Sequence, residues 1–175
     1  MKLTFVRHTS VDVEPGICYG QSDVELRPTF PEEAAKVREN LRGRKFDAVF
    51  TSPLSRCVRL AERCGYRDAV RDNRLKELNF GEWEMKRFDE ITDTRLQEWY
   101  EDYFNVRPTG GESFADQQVR LRNFIDSLRG KGYDSVLIFA HGGILLQAML
   151  LAGKITLEEA FEHQPPYGGI IELEF

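Results

Sequence analysis

The apolar positions of this chain fall into short β-type runs separated by longer stretches of helical periodicity. Leu3 to Val6, Ala48 to Thr51, Val136 to Ala140 and Ile170 to Phe175 read as β-strands. Val136-Leu137-Ile138-Phe139-Ala140 is apolar at every position rather than alternating, the pattern of a strand covered on both faces in a parallel sheet. A first helix is predicted from Thr29, which forms a capping-box pattern with Glu32, to about Gly43. A second runs from Pro53 to Cys64 and buries Leu54, Val58, Leu60 and Ala61. A third spans about Glu112 to Leu128, with Val119, Leu121, Phe124, Ile125 and Leu128 facing inward, and a fourth follows Gly143. The segment from Glu84 to Arg107 is polar and aromatic-rich and lies outside this alternation, so it is expected to be a helical insertion that caps a site. The whole predicts an α/β fold: a three-layer α/β/α sandwich around a mostly parallel sheet, one domain over residues 1–175 with a small cap at about 84–107.

Composition narrows the function. The 175 residues are 41% hydrophobic and 30% charged, enough for a core without disulfides or structural metal. Net charge is −5 with the two signs interspersed, which argues against a nucleic-acid coat. Cys18, Cys57 and Cys64 contain no C-x-x-C pair and are expected to pack as small buried hydrophobes. The apolar run at the N-terminus is cut off by Arg7, too early for a signal peptide or a membrane span, so a reducing, cytoplasmic location is expected. No repeat or linker divides the chain, and nothing in the pattern specifies an oligomeric state.

Chemistry is concentrated at two strand ends. Of three histidines, His8 directly follows the first strand and His141 the third, and ligands of open α/β sheets bind just outside such carboxyl ends. Gly142 and Gly143 permit a tight turn into a helix whose free N–H groups suit an anion. The strand ending at Thr51 leads through Ser52-Pro53-Leu54-Ser55 to Arg56, about one turn into a helix at the same sheet edge. Arg7, His8, Arg56 and His141 would repel one another unless a dianion compensates them, and phosphate is the obvious candidate. His163 is expected to be structural or at the rim of the site.

Five motifs in order carry a family resemblance: Arg7-His8; Thr51-Ser52-Pro53-Leu54-Ser55-Arg56; Leu75 to Glu84, read LKELNFGEWE; Gly110-Gly111-Glu112-Ser113; and Ala140-His141-Gly142-Gly143. Together they resemble the first branch of the histidine phosphatase (phosphoglycerate mutase-like) superfamily over essentially the whole chain. The resemblance implies that His8 becomes phosphohistidine and that Arg7, Arg56, His141 and Gly142 hold the phosphoryl group. It also implies that Glu77 is the acid/base; the residues alone do not single it out from Glu82 or Glu84 among 29 acidic side chains. The family usually has Gly where Thr9 stands, and Thr9 is expected either to give a hydroxyl to the phosphate or to cap a turn. The loop Gly16 to Leu26 is similar to that of alpha-ribazole phosphatases, which act late in cobalamin nucleotide-loop assembly, and there Gln21 and Ser22 match residues bordering the phosphate.

The resemblance therefore implies hydrolysis of a small phosphomonoester, without metal or cofactor, because the arginines supply the positive charge. The rival within the family is a mutase, which returns the phosphoryl group to another hydroxyl; a short chain with a small insertion favours hydrolysis. A catalytically dead phospho-ligand module would lack the nucleophile or a pocket arginine, and a metallohydrolase would need ligand spacings such as H-x-H or H-E-x-x-H that do not occur.

Overall fold

The computed structural model describes all 175 residues. Its ordered elements are β1 (Lys2–Arg7), α1 (Phe30–Asn40), β2 (Ala48–Thr51), α2 (Ser55–Arg63), β3 (Val70–Arg71), α3 (Arg95–Glu101), α4 (Phe114–Leu128), β4 (Ser135–Ala140), α5 (Gly142–Leu151) and β5 (Ile170–Glu174), with short 3-10 turns between some of them. The sheet order is β3-β2-β4-β1-β5. All neighbours pair in parallel except β1 with β5, which is antiparallel and closes one edge.

The apolar runs explain the layers. Along β4, Val136, Ile138 and Ala140 face a core shared with α4 and α5, while Leu137 and Phe139 face a second core shared with α1 and α2. Leu3 and Phe5 of β1 join the first core and Val6 the second. A strand with helices on both faces has no solvent side, so neither side carries polar residues. The result is the expected α/β/α sandwich.

Several details differ from the pattern reading. α1 begins at Phe30 and ends at Asn40, and Thr29 makes no capping bond to the backbone; its hydroxyl donates to Glu33 instead. α2 starts at Ser55 with Leu54 as an extended cap residue, so Pro53 lies outside it. Its buried side is Arg56, Cys57, Leu60 and Ala61, while Leu54 and Val58 are only half-buried. α4 starts after Ser113, whose side chain forms a capping box with Asp116. Val119 points outward, 58% exposed, because it lies off the stripe marked by Leu121, Phe124, Ile125 and Leu128. β3 carried no apolar signal, since both its residues are exposed.

The segment after Glu84 folds as a 3-10 turn at Phe88–Glu90 and then α3. It is anchored by Trp83, which is buried and whose indole N–H donates to Asp93, and Asp93 also accepts from the Thr109 hydroxyl. The Thr109 hydroxyl, the Arg95 N–H and the Trp83 indole hold the Asp93 carboxyl down at about 2. No helix is long and apolar enough to cross a membrane.

Candidate active site

Strand register brings the chemistry together. Arg7 pairs with Ala140, so the next residues, His8 and His141, leave the sheet side by side. Their ring centroids are 5.2 Å apart. Thr51 pairs with Phe139, which sets Ser52 next to them, and Ser52 Oγ shares a 2.7 Å hydrogen bond with His141 Nε2. His8, His141, Ser52 and Arg56 are all essentially inaccessible to solvent.

His8 is held in one tautomer. Its Nδ1 lies 2.7 Å from the Thr9 carbonyl oxygen, which can only accept, so Nδ1 carries the proton and Nε2 keeps its lone pair. Burial is the main cause that lowers its pKa to about 3, helped by the charges of Arg56 and Arg7 and opposed by the Thr9 bond. His141 is also held well below the usual histidine range, first by burial and then by Arg56 and His8. Both rings are neutral at ordinary pH. Neutral rings beside two guanidinium groups can attack or bind an anion without adding to the charge it meets.

The arginines lack carboxylate partners. Arg56 is completely buried, and its guanidinium donates to the carbonyls of Ser22 (2.8 Å) and Gly20. Arg7 donates to the Pro165 carbonyl at 2.6 Å and lies 4.1 Å from the centre of the Tyr167 ring. In each the Nε is buried with no hydrogen-bond partner. Carbonyl dipoles hold these groups in place but do not neutralise them, so the site carries net positive charge suited to an oxyanion.

Glu77 completes the group. Its Oε1 accepts from the Leu78 N–H (2.8 Å) and Gln117 Nε2 (2.9 Å), and its Oε2 accepts from the Gly143 N–H (3.0 Å). One N–H of the α5 N-terminus, that of Gly143, is thus taken by a side-chain oxygen of the protein itself. A Cβ on Gly143 would overlap Glu77 Oε1, and one on Gly142 would overlap Gln164 and crowd Arg7. Both glycines are needed for close approach. Arg120 donates to the Glu77 carbonyl and pairs with Glu112 at 2.6 Å, tying the loop that carries Glu77 to α4.

Arg7, His8 and Glu77 line a cavity of about 210 Å³ whose opposite wall is aromatic, built from Tyr19, Phe80, Trp99, Tyr103, Phe114 and Phe161. Trp99 and Tyr103 come from the segment between Glu84 and Arg107, which thus forms part of the wall. The remaining candidate residues lie around the cavity. Gln21 and Ser22 do not line this cavity, and neither do Arg56 and His141; the Gln21 amide donates to the Glu77 carbonyl, and the Ser22 hydroxyl donates to Glu84 at 2.6 Å. Glu84 in fact collects the N–H groups of Gly20, Gln21, Ser22 and Phe80, so it fastens the loop whose carbonyls hold Arg56. The Thr9 hydroxyl is buried without a partner, and it is the Thr9 carbonyl that orients His8. His163 is exposed, and its neighbours Phe161 and Gln164 line the cavity in its place.

Gln117 and Glu84 were missed by sequence reasoning. A signal for Gln117 existed: it lies four residues before Leu121 on the inward stripe of α4, a polar residue in an apolar register. Glu84 closes the quoted LKELNFGEWE motif, but its role is not readable there, because four of its five donors come from Gly20, Gln21 and Ser22 in a loop distant in sequence.

A protein of Hydrogenobacter thermophilus named “Putative phosphoserine phosphatase 2” is 30% identical over 98% of this chain and 88% of its own length. The adenosylcobalamin/alpha-ribazole phosphatase of Salmonella typhimurium is 30% identical over 91% of this chain and 82% of its own. The crystal structure of the alpha-ribazole phosphatase from Shigella flexneri superposes with a TM-score of 0.89, covering all of this chain and 91% of that one at 23% identity, a likeness of fold. Residues 3–175 match the family model of the histidine phosphatase superfamily (branch 1), and the chain belongs to that family.

Proposed function

We propose that this protein is a phosphomonoesterase that works through a phosphohistidine on His8. The observation that carries the reading is the bond from His8 Nδ1 to the Thr9 carbonyl, which leaves an unprotonated Nε2 on a buried neutral ring between two unneutralised arginines. In the first step Nε2 attacks phosphorus, the P–N bond forms and the P–O bond to the alcohol breaks. Arg7, Arg56 and His141 hold the equatorial oxygens, and Glu77 gives its proton to the departing alkoxide. In the second step water attacks phosphorus, returns a proton to Glu77 and releases phosphate and neutral His8. His8→Ala is expected to lower phosphate release by at least about a thousandfold. Wild-type protein quenched during turnover should carry an acid-labile phosphate on His8; near-normal turnover by His8→Ala defeats the mechanism.

For substrate we propose alpha-ribazole 5′-phosphate. The similarity to alpha-ribazole phosphatases supports it, and so does the aromatic wall, which suits a leaving group with a flat face better than the short polar side chain of phosphoserine. Comparing kcat/KM for alpha-ribazole 5′-phosphate, phosphoserine and other small esters tests this; a flat profile means a generalist phosphatase. Assaying free phosphate against conversion of 3-phosphoglycerate separates hydrolase from mutase. Three buried unpaired thiols suit a reducing compartment, and we place the protein in the cytoplasm.

A further inference from the structure

We infer that Gln117 is a positioning residue that fixes which oxygen of Glu77 handles the proton. A carboxylate offers two oxygens with two lone pairs each. Oε1 already accepts from the Leu78 N–H and Gln117 Nε2, so both its lone pairs are engaged. Oε2 accepts only from the Gly143 N–H, so one lone pair remains. The proton given to the leaving alkoxide and taken from water therefore resides on Oε2. The two backbone donors come with the fold; Gln117 is the one side chain that sets the asymmetry. Without it both oxygens would hold a single N–H bond and the carboxyl would present its proton on either.

The rest of Gln117 argues that its amide is there for Glu77. The residue is fully buried, yet its Oε1 has no donor, so its side chain makes one polar contact in all. A side chain kept for packing would do better without an unsatisfied buried oxygen. The orientation of the amide follows from the same contact, because an oxygen turned toward a carboxylate would be repelled.

The inference rests on Glu77 acting as proton donor, and the test separates the two. kcat/KM reports the steps up to departure of the alcohol. An aliphatic phosphomonoester needs a proton on its leaving oxygen, whereas p-nitrophenyl phosphate, whose leaving group is a stable anion, does not. Gln117→Met and Gln117→Leu should each lower kcat/KM for the aliphatic ester by about tenfold or more and for p-nitrophenyl phosphate by less than about threefold. Both variants should melt at or above the wild-type temperature. Equal losses on the two substrates, no loss on the aliphatic one, or a fall in melting temperature in both variants overturns the inference. Glu77→Gln is measured alongside. If it lacks the same split while Gln117→Met is split or silent, the role of Glu77 fails; if it is split and Gln117→Met is not, only the role of Gln117 fails.

Discussion

The two sides of the cavity are built on different principles. The floor is formed by His8, with His141 and Arg56 beneath it rather than lining it; all three are sealed from solvent and each is fixed by a short hydrogen bond at a strand end or the first turn of a helix. On the wall, Trp99, Tyr103 and Phe161 meet through ring contacts 4.8 to 6.3 Å apart, and Phe161 is 58% exposed. Hydrogen bonds to backbone fix an atom to within tenths of an ångström, which phosphoryl transfer requires. Ring contacts tolerate larger shifts and fix only shape. On the proposed function, the chemistry belongs to the sheet, and choice of leaving group to the insertion and its neighbours.

The largest expected effect comes from breaking the floor. Arg56→Met removes a buried charge and should lower kcat by about 10²- to 10³-fold, the usual effect of losing one group that stabilises transferring charge. It should also move the pH profile. The Arg56 charge disfavours protonated His8, so its removal raises the His8 pKa above about 3; burial, the larger cause, stays and keeps it below 6.5. In the proposed mechanism neutral His8 attacks, so the acid limb of kcat/KM should shift to higher pH. A limb that stays put, or moves down, contradicts the electrostatic account of the floor.

Glu84→Gln probes the tie between the two regions. Glu84 Oε1 accepts from the N–H groups of Gln21 and Phe80, and Oε2 from the N–H groups of Gly20 and Ser22 and the Ser22 hydroxyl. Whichever oxygen becomes NH₂, at least two donors lose their acceptor and face another donor. Stability should fall by about 1–3 kcal/mol. Because the Gly20 and Ser22 carbonyls orient Arg56, KM should rise by roughly tenfold for every substrate alike, large or small. Thermal melts and a substrate series measure both; a rise confined to large substrates would assign Glu84 to the wall.

The same division decides what was legible in the sequence. β1 and β4 stand within a residue of their apolar runs, because strands covered on both faces leave an uninterrupted signal, and His8 and His141 follow directly from them. Arg56 was placed by its distance from the end of β2. Glu77 was chosen by resemblance alone, since its role depends on Gly143 and Gln117 from two other elements. Gln21 and Ser22 belong to the loop whose carbonyls hold Arg56, and a polar loop near a phosphate site reads the same in sequence whether it touches the ligand or ties down a side chain that does. Val119 was misread because its hydrophobicity outweighed its angle, about 200° around the helix from Gln117.

The smallest expected effect, and the sharpest for the wall, is Trp99→Leu. The indole stacks on Phe88 at 6.2 Å and meets Phe80 and Trp83 edge-on at 6.1 and 5.9 Å. Its Nε1 is buried without an acceptor, so the N–H contributes nothing to the fold that leucine would lose. Leucine keeps an apolar lining but removes the flat face. An aromatic leaving group stacked there would lose about 1 kcal/mol, roughly fivefold in KM. Phosphoserine has no ring to stack, so its KM should hold within about twofold, and kcat should hold for both because the floor is untouched. Steady-state kinetics on the two esters decides it: equal weakening would mean that Trp99 supports the shape of the whole cavity, and the wall would then have no part in choosing the leaving group.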